Sequence, residues 1–125
     1  GYELYCRENG HYHRGFKGLR ERIDASAARS RCDCDRLGTH HFLINNAGFG
    51  AFAPIEKIDP TIWQEMFDVN VKGAFLCSQA VVPQMKAQQS GHILNISSIA
   101  GRVGMPQGEA YNASKFALRG FSESL

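Results

Sequence analysis

Two short apolar runs separated by a long helical stretch constrain this chain more than any other feature. His41-Phe-Leu-Ile-Asn-Asn-Ala47 closes on Gly48, and His92-Ile-Leu-Asn-Ile-Ser97 follows Gly91. Each has the length and turn-bounded ends of a buried strand. Between them, Asp59-Pro60 offers an N-cap with proline at the first helical position, and Trp63, Met66, Phe67, Phe75 and Leu76 recur at helical spacing to about Gln88. The expectation is one long helix, kinked at Pro83 and ended by Ser90-Gly91, with the aromatics in the core or at helix contacts. Two strands joined through a helix of that length cannot form a hairpin; they pair in parallel through a right-handed crossover. Gly101 to Gln107 reads as a loop, and a second helix starts at about Gly108. The fold class is α/β: a Rossmann-like, doubly wound parallel sheet, incomplete, with two strands and two helices readable.

Composition matters because it changes along the chain. Residues 1–41 hold eight of the 14 Lys and Arg, three of the four Cys and four of the five His, but only Leu4, Phe16, Leu19, Ile23 and Leu37 as large apolar side chains other than Tyr. Residues 42–125 have the balance of an ordinary α/β protein. The expected organisation is therefore an atypical segment, 1–41, diverged or read out of frame, followed by the catalytic half of a Rossmann-type domain, 42–125. A net charge of +2 with no basic stripe argues against nucleic acid as a partner. No apolar run reaches the roughly 20 residues of a membrane span, and no signal pattern opens the chain, so a cytoplasmic location is expected. Cys32-x-Cys34 with His40-His41 does not match common zinc spacings, and no metal site is expected. Asn95-Ile-Ser and Asn112-Ala-Ser fit the glycosylation pattern by coincidence.

Tyr111 and Lys115 lie four apart on the second helix, so their side chains leave the same face one turn apart. A free phenol ionises near pH 10, leaving about one in a thousand ionised at pH 7. An ammonium ~4 Å away stabilises a phenolate by on the order of 4 kcal/mol at an effective dielectric near 20, before desolvation is counted. Such a pair can exchange protons near neutrality. Ser98 stands 13 residues before Tyr111, at the carboxyl edge of the second strand, where open α/β sheets bind ligands. Asn45-Asn46-Ala47-Gly48 ends the first strand at the same edge, and Asn70 sits inside the long helix, where asparagine is unfavourable without a local reason.

Asn-Asn-Ala-Gly at 45–48, Asp-Val-Asn-Val around Asn70, Ser-Ser-Ile-Ala-Gly at 97–101 and Tyr-x-x-x-Lys at 111–115 occur in this order and at these intervals. Together they resemble the short-chain dehydrogenase/reductase family in its common form of about 250 residues. The resemblance covers about Phe42 to Leu125. It implies hydride transfer between NAD or NADP and a small carbonyl or alcohol substrate. Tyr111 would be the general acid/base, Lys115 would make its proton transferable and bind the nicotinamide ribose, Ser98 would hold the substrate oxygen, and Asn70 would keep a relay water. Asn46, Ala47 and Gly48 would line the adenosine side of the cofactor groove, and the resemblance implies a homo-oligomer. Two departures stand out. The family's Gly-rich turn has its nearest candidate in residues 13–20, with Gly18 on a motif glycine but Arg14 and Arg20 on the other two. The strand and substrate-binding segment that follow the Tyr-bearing helix in the family also have no counterpart before Leu125. A partial reading frame is the expectation, and a noncatalytic fragment or pseudoenzyme unable to bind cofactor is the alternative. NAD and NADP both remain open.

Overall fold

The structure is a computed structural model that describes residues 4–8, 11–15 and 42–125. Its elements are strands β1 (Leu4–Glu8), β2 (His11–Gly15) and β3 (Phe42–Asn45), helix α1 (Pro60–Phe67), a π-helical segment (Asp68–Lys72), helix α2 (Gly73–Ala87), strand β4 (His92–Asn95) and helix α3 (Glu109–Ser124). Single 3-10 turns cover Ile55–Lys57 and Ile99–Gly101. Candidate residues Phe16 to His41, including Gly18, Arg20 and the Cys32, Cys34 and His40 group, lie outside the described residues.

The chain divides into two compact units. The first comprises Gly1–Asn46 with Phe75–Leu94. Its sheet has the order β2-β1-β3-β4, in which β3 and β4 run parallel, as expected of an α/β fold. The sheet is nevertheless wider than two strands. β1 pairs antiparallel with β2 and also with β3, setting Tyr5 opposite Ile44 and Arg7 opposite Phe42. The edge of β3 left open by the two-strand reading is thus occupied by β1, itself paired with β2. On β3 the side chains alternate, with Phe42 exposed and Leu43 and Asn45 buried, so one face is covered rather than two. Leu43 meets Cys77, Val81 and Met85, which recur every fourth residue along α2, and Ile93 of β4 packs against this cluster. Burying Leu43 or Val81 contributes roughly 1.5–3 kcal/mol each. At the strand end, the Asn45 amide donates to Ser78 Oγ at 3.4 Å.

The second unit comprises Ala47–Ala74 with Asn95–Leu125. Asp59 caps α1 by accepting from the Thr61 amide at 2.8 Å, and Pro60 fills the first helical position as the sequence predicts. The predicted single helix is instead interrupted after Phe67, where Asp68–Lys72 winds as a π turn before α-helical geometry resumes at Gly73; helical geometry then continues past Pro83 to Ala87. The physical cause is Asn70, whose side chain serves backbone groups outside the helix, as set out below. Of the two places expected for the aromatics, core or helix contact, the core does not hold Trp63 and Phe75. Met66, Val69 and Asn70 are buried, whereas Trp63 and Phe75 are 36% and 43% exposed, Trp63 stacking on Phe67 with ring centroids 5.2 Å apart. Helix α3 buries Ala110, Ser114 and Leu118, again every fourth residue, and its small side chains permit close approach. Among the described residues, no helix is long and apolar enough to cross a membrane.

Candidate active site

Asn70 is the best-anchored of the candidate residues. Only 1% exposed, it accepts from the Phe49 amide at 3.0 Å, donates to the Phe49 carbonyl at 2.9 Å and donates to Ser114 Oγ at 2.9 Å. One side-chain amide thereby satisfies both backbone polar groups of Phe49, acting as a strand-like partner for the loop after Gly48. The π turn places the Asn70 carboxamide in that position, in keeping with the frequent occurrence of π-bulges at functional sites.

Lys115 projects from the buried face of α3. It is 4% exposed, its Nζ donates to the Ile96 carbonyl at 3.1 Å, and among the described residues no carboxylate pairs with it. Burial disfavours its charged form and holds its pKa below the ordinary lysine value of 10.5. An ammonium has three donors, so the bond to Ile96 leaves donors for a ligand. Gly48 lies beside it: a Cβ added there would sit 3.2 Å from Lys115 Nζ and 3.2 Å from Asn70 Oδ1. Glycine at this position lets the backbone pass close to the lysine ammonium and the asparagine amide oxygen.

Tyr111 is half-buried, with Lys115 Nζ 5.8 Å from its ring centroid. Its ring packs at 59° against Phe52, with centroids 5.5 Å apart. Ser98 caps the 3-10 turn, its Oγ accepting from the Ala100 amide at 3.2 Å. The turn is pressed onto α3 at Gly101, where a Cβ would stand 2.8 Å from the Lys115 carbonyl oxygen and 2.7 Å from Ser97 Oγ. Only glycine allows that approach, and Ser97 Oγ donates to the same Lys115 carbonyl at 3.3 Å.

The second unit thus brings together Gly48, Asn70, Tyr111 and Lys115, and joins Ser98 to them through the 3-10 turn. Ala47 is half-buried beside Gly48, while Asn46 is exposed at the end of β3 in the first unit. The sequence reading overlooked Ser114, Gly101, Ser97 and any structural role for Asn112. One signal was available: the helix that carries Tyr111 also buries the polar residues Asn112, Ser114 and Lys115. A helix that buries polar residues does so for a partner.

The sequence profile of the short chain dehydrogenase family matches residues 20–125. The chain belongs to that family. It is 43% identical to retinol dehydrogenase 8 of Bos taurus over 93 residues, which are 74% of this chain and 30% of the relative. To the 3-alpha-(or 20-beta)-hydroxysteroid dehydrogenase of Mycobacterium tuberculosis strain H37Rv it is 46% identical over 88 residues, 70% of this chain and 34% of the relative. A gluconate 5-dehydrogenase from Burkholderia cenocepacia J2315, solved with NADP and tartrate, superposes with a TM-score of 0.76 at 32% identity, over 81% of this chain and 40% of that one. The chain spans about a third of the length of the curated relatives it matches.

Proposed function

We propose that residues 42–125 carry the catalytic half of an NAD(P)-dependent oxidoreductase that interconverts a small carbonyl compound and its alcohol. The observation that carries this reading is the buried Lys115 ammonium, packed with Asn70 against Gly48, with Tyr111 one helical turn away. Asn46, Ala47 and Gly48 would line the adenosine side of the cofactor, and Lys115 would bind the nicotinamide ribose. When bound, the nicotinamide supplies or accepts the hydride. Tyr111 gives a proton to the substrate oxygen in reduction and removes it in oxidation. Ser98 donates to the same substrate oxygen and orients the carbonyl, and Asn70 holds the end of a proton path between Lys115 and solvent.

NADH and NADPH binding to the purified chain, followed by cofactor fluorescence and thermal shift, tests the first half of this reading. Absence of binding by both at millimolar concentration overturns it in favour of the noncatalytic alternative, for which Arg14 and Arg20 at glycine positions of the dinucleotide motif speak. Where cofactor binds, Tyr111→Phe is expected to lower kcat by at least 100-fold, within the range of general acid/base contributions, with cofactor affinity within twofold. Retained turnover refutes the assigned role.

A further inference from the structure

Asn112 follows Tyr111 directly, is 7% exposed, and uses its whole carboxamide on one segment. Its Nδ2 donates to the Ala100 carbonyl at 2.9 Å and to the Val103 carbonyl at 2.7 Å, while its Oδ1 accepts from the Met105 amide at 3.3 Å. Three backbone groups of the segment that follows Ser98 are therefore gripped by a single side chain. Ala100 is also the residue whose amide holds Ser98 Oγ. A continuous path of two hydrogen bonds consequently runs from Ser98 Oγ through the Ala100 peptide groups to Asn112, and by one covalent step to Tyr111. Gly108, in the turn before α3, makes room for this grip, since a Cβ there would stand 2.7 Å from Asn112 Oδ1.

We infer that Asn112 is a positioning residue that fixes the Ser98 turn to the Tyr111 helix, and so sets the separation at which hydroxyl and phenol meet one substrate oxygen. This inference rests on the oxidoreductase reading for its catalytic consequence. The mechanical part stands on the three bonds alone. No residue other than asparagine matches it in size and pattern: aspartate keeps the shape but cannot donate to two carbonyls, and glutamine is one methylene longer. Misplacement by about 1 Å of groups that must converge on a reacting atom costs on the order of 100-fold in rate.

The test compares the unsubstituted chain with Asn112→Asp, Asn112→Ala and Gly108→Ala, the last pushing on the amide without removing it. Amide hydrogen exchange is expected to accelerate at least tenfold at Met105 and at Gly101, Arg102 and Val103, whose amides bond to the Ser98 and Ile99 carbonyls, and to stay unchanged in the last two turns of α3. In turnover, kcat is expected to fall at least tenfold in both Asn112 variants and less in Gly108→Ala, with the cofactor KM within twofold throughout. Uniform acceleration along α3, unchanged exchange at Met105, or local acceleration without a fall in kcat each overturns the inference. If the unsubstituted chain shows no turnover, the oxidoreductase reading fails separately, and the exchange pattern alone decides whether Asn112 holds the turn. If Asn112→Asp does not fold, Gly108→Ala supplies the same two readouts.

Discussion

Replacing Asn70 by alanine removes a fully bonded, buried side chain of the candidate site, and the loss can be worked from its partners. Three hydrogen bonds disappear: those to the Phe49 amide, the Phe49 carbonyl and Ser114 Oγ. At a net value of about 1 kcal/mol each, the substitution costs about 3 kcal/mol. Two terms adjust this figure. Phe49 is only half-buried, so water replaces part of what is lost, and alanine suits a helix better than asparagine by roughly 0.6 kcal/mol. The expected destabilisation is about 2 kcal/mol. Trp63 is the sole tryptophan and lies in the same unit as Asn70, so urea unfolding followed by its fluorescence reports the relevant region. Ser114→Ala provides the internal check. It deletes the Asn70–Ser114 bond, and the double variant is expected to be less destabilised than the two singles added together by about 1 kcal/mol. A shift below about 0.5 kcal/mol for Asn70→Ala, or strict additivity with Ser114→Ala, would refute the claim that Asn70 ties the π turn to Phe49 and α3.

Lys115→Met is expected to stabilise the chain at neutral pH while eliminating turnover, because the gain from removing a buried, unpaired charge exceeds the roughly 1 kcal/mol lost with the bond to Ile96. The sign with pH follows from the lowered lysine value: between the folded value and 10.5 the unfolded chain binds more protons, so the parent gains stability as pH rises through that window and loses it as pH falls, and Lys115→Met lacks that slope in urea titrations. Gly101→Ala is expected to cost about 1–3 kcal/mol, since its Cβ meets the Lys115 backbone oxygen at 2.8 Å, which cannot step aside as the Ser97 hydroxyl at 2.7 Å can. An unchanged urea midpoint would refute that contact. Leu43→Ala, in the first unit, is expected to lower stability by about 2–5 kcal/mol, and a loss below 1 kcal/mol would show that the α2 cluster is not packed as described.

What the sequence revealed and what it hid divide along a physical line. The strand at Phe42–Asn45, the Asp59 cap, the Pro60 start and the helix carrying Tyr111 and Lys115 follow from local chemistry: capping, period and turn residues. The π turn at Asp68–Lys72 does not, because its cause is a partner, Phe49, 21 residues away. Asn70 was marked as needing a reason, but the reason was tertiary. The aromatic residues misled in the opposite way. Trp63 and Phe75 kept helical spacing yet fall outside the buried side, which is filled by Met66, Val69, Asn70, Ala74, Cys77 and Val81. Close packing on that side calls for smaller side chains. The antiparallel place of β1 beside β3 was hidden as well, since pairing direction is set by long-range register. For Asn112 the Asn-x-Ser pattern is a coincidence, and its buried carboxamide, bonded to Ala100 and Val103, shows what the sequence did not.

Ala100 carries a consequence for how such a site is mapped by mutation. Its side chain is a single methyl, fully buried, yet its N–H and C=O are the two contacts that join Ser98 to Asn112. Side-chain truncation to glycine leaves both in place, so a conventional scan would score this position as unimportant. Only a change to the peptide unit itself, such as proline at position 100 or an ester in place of its amide, interrogates the link. At Ala100 the connection between the two candidate catalytic groups runs through main-chain atoms, and its buried methyl takes no part in it.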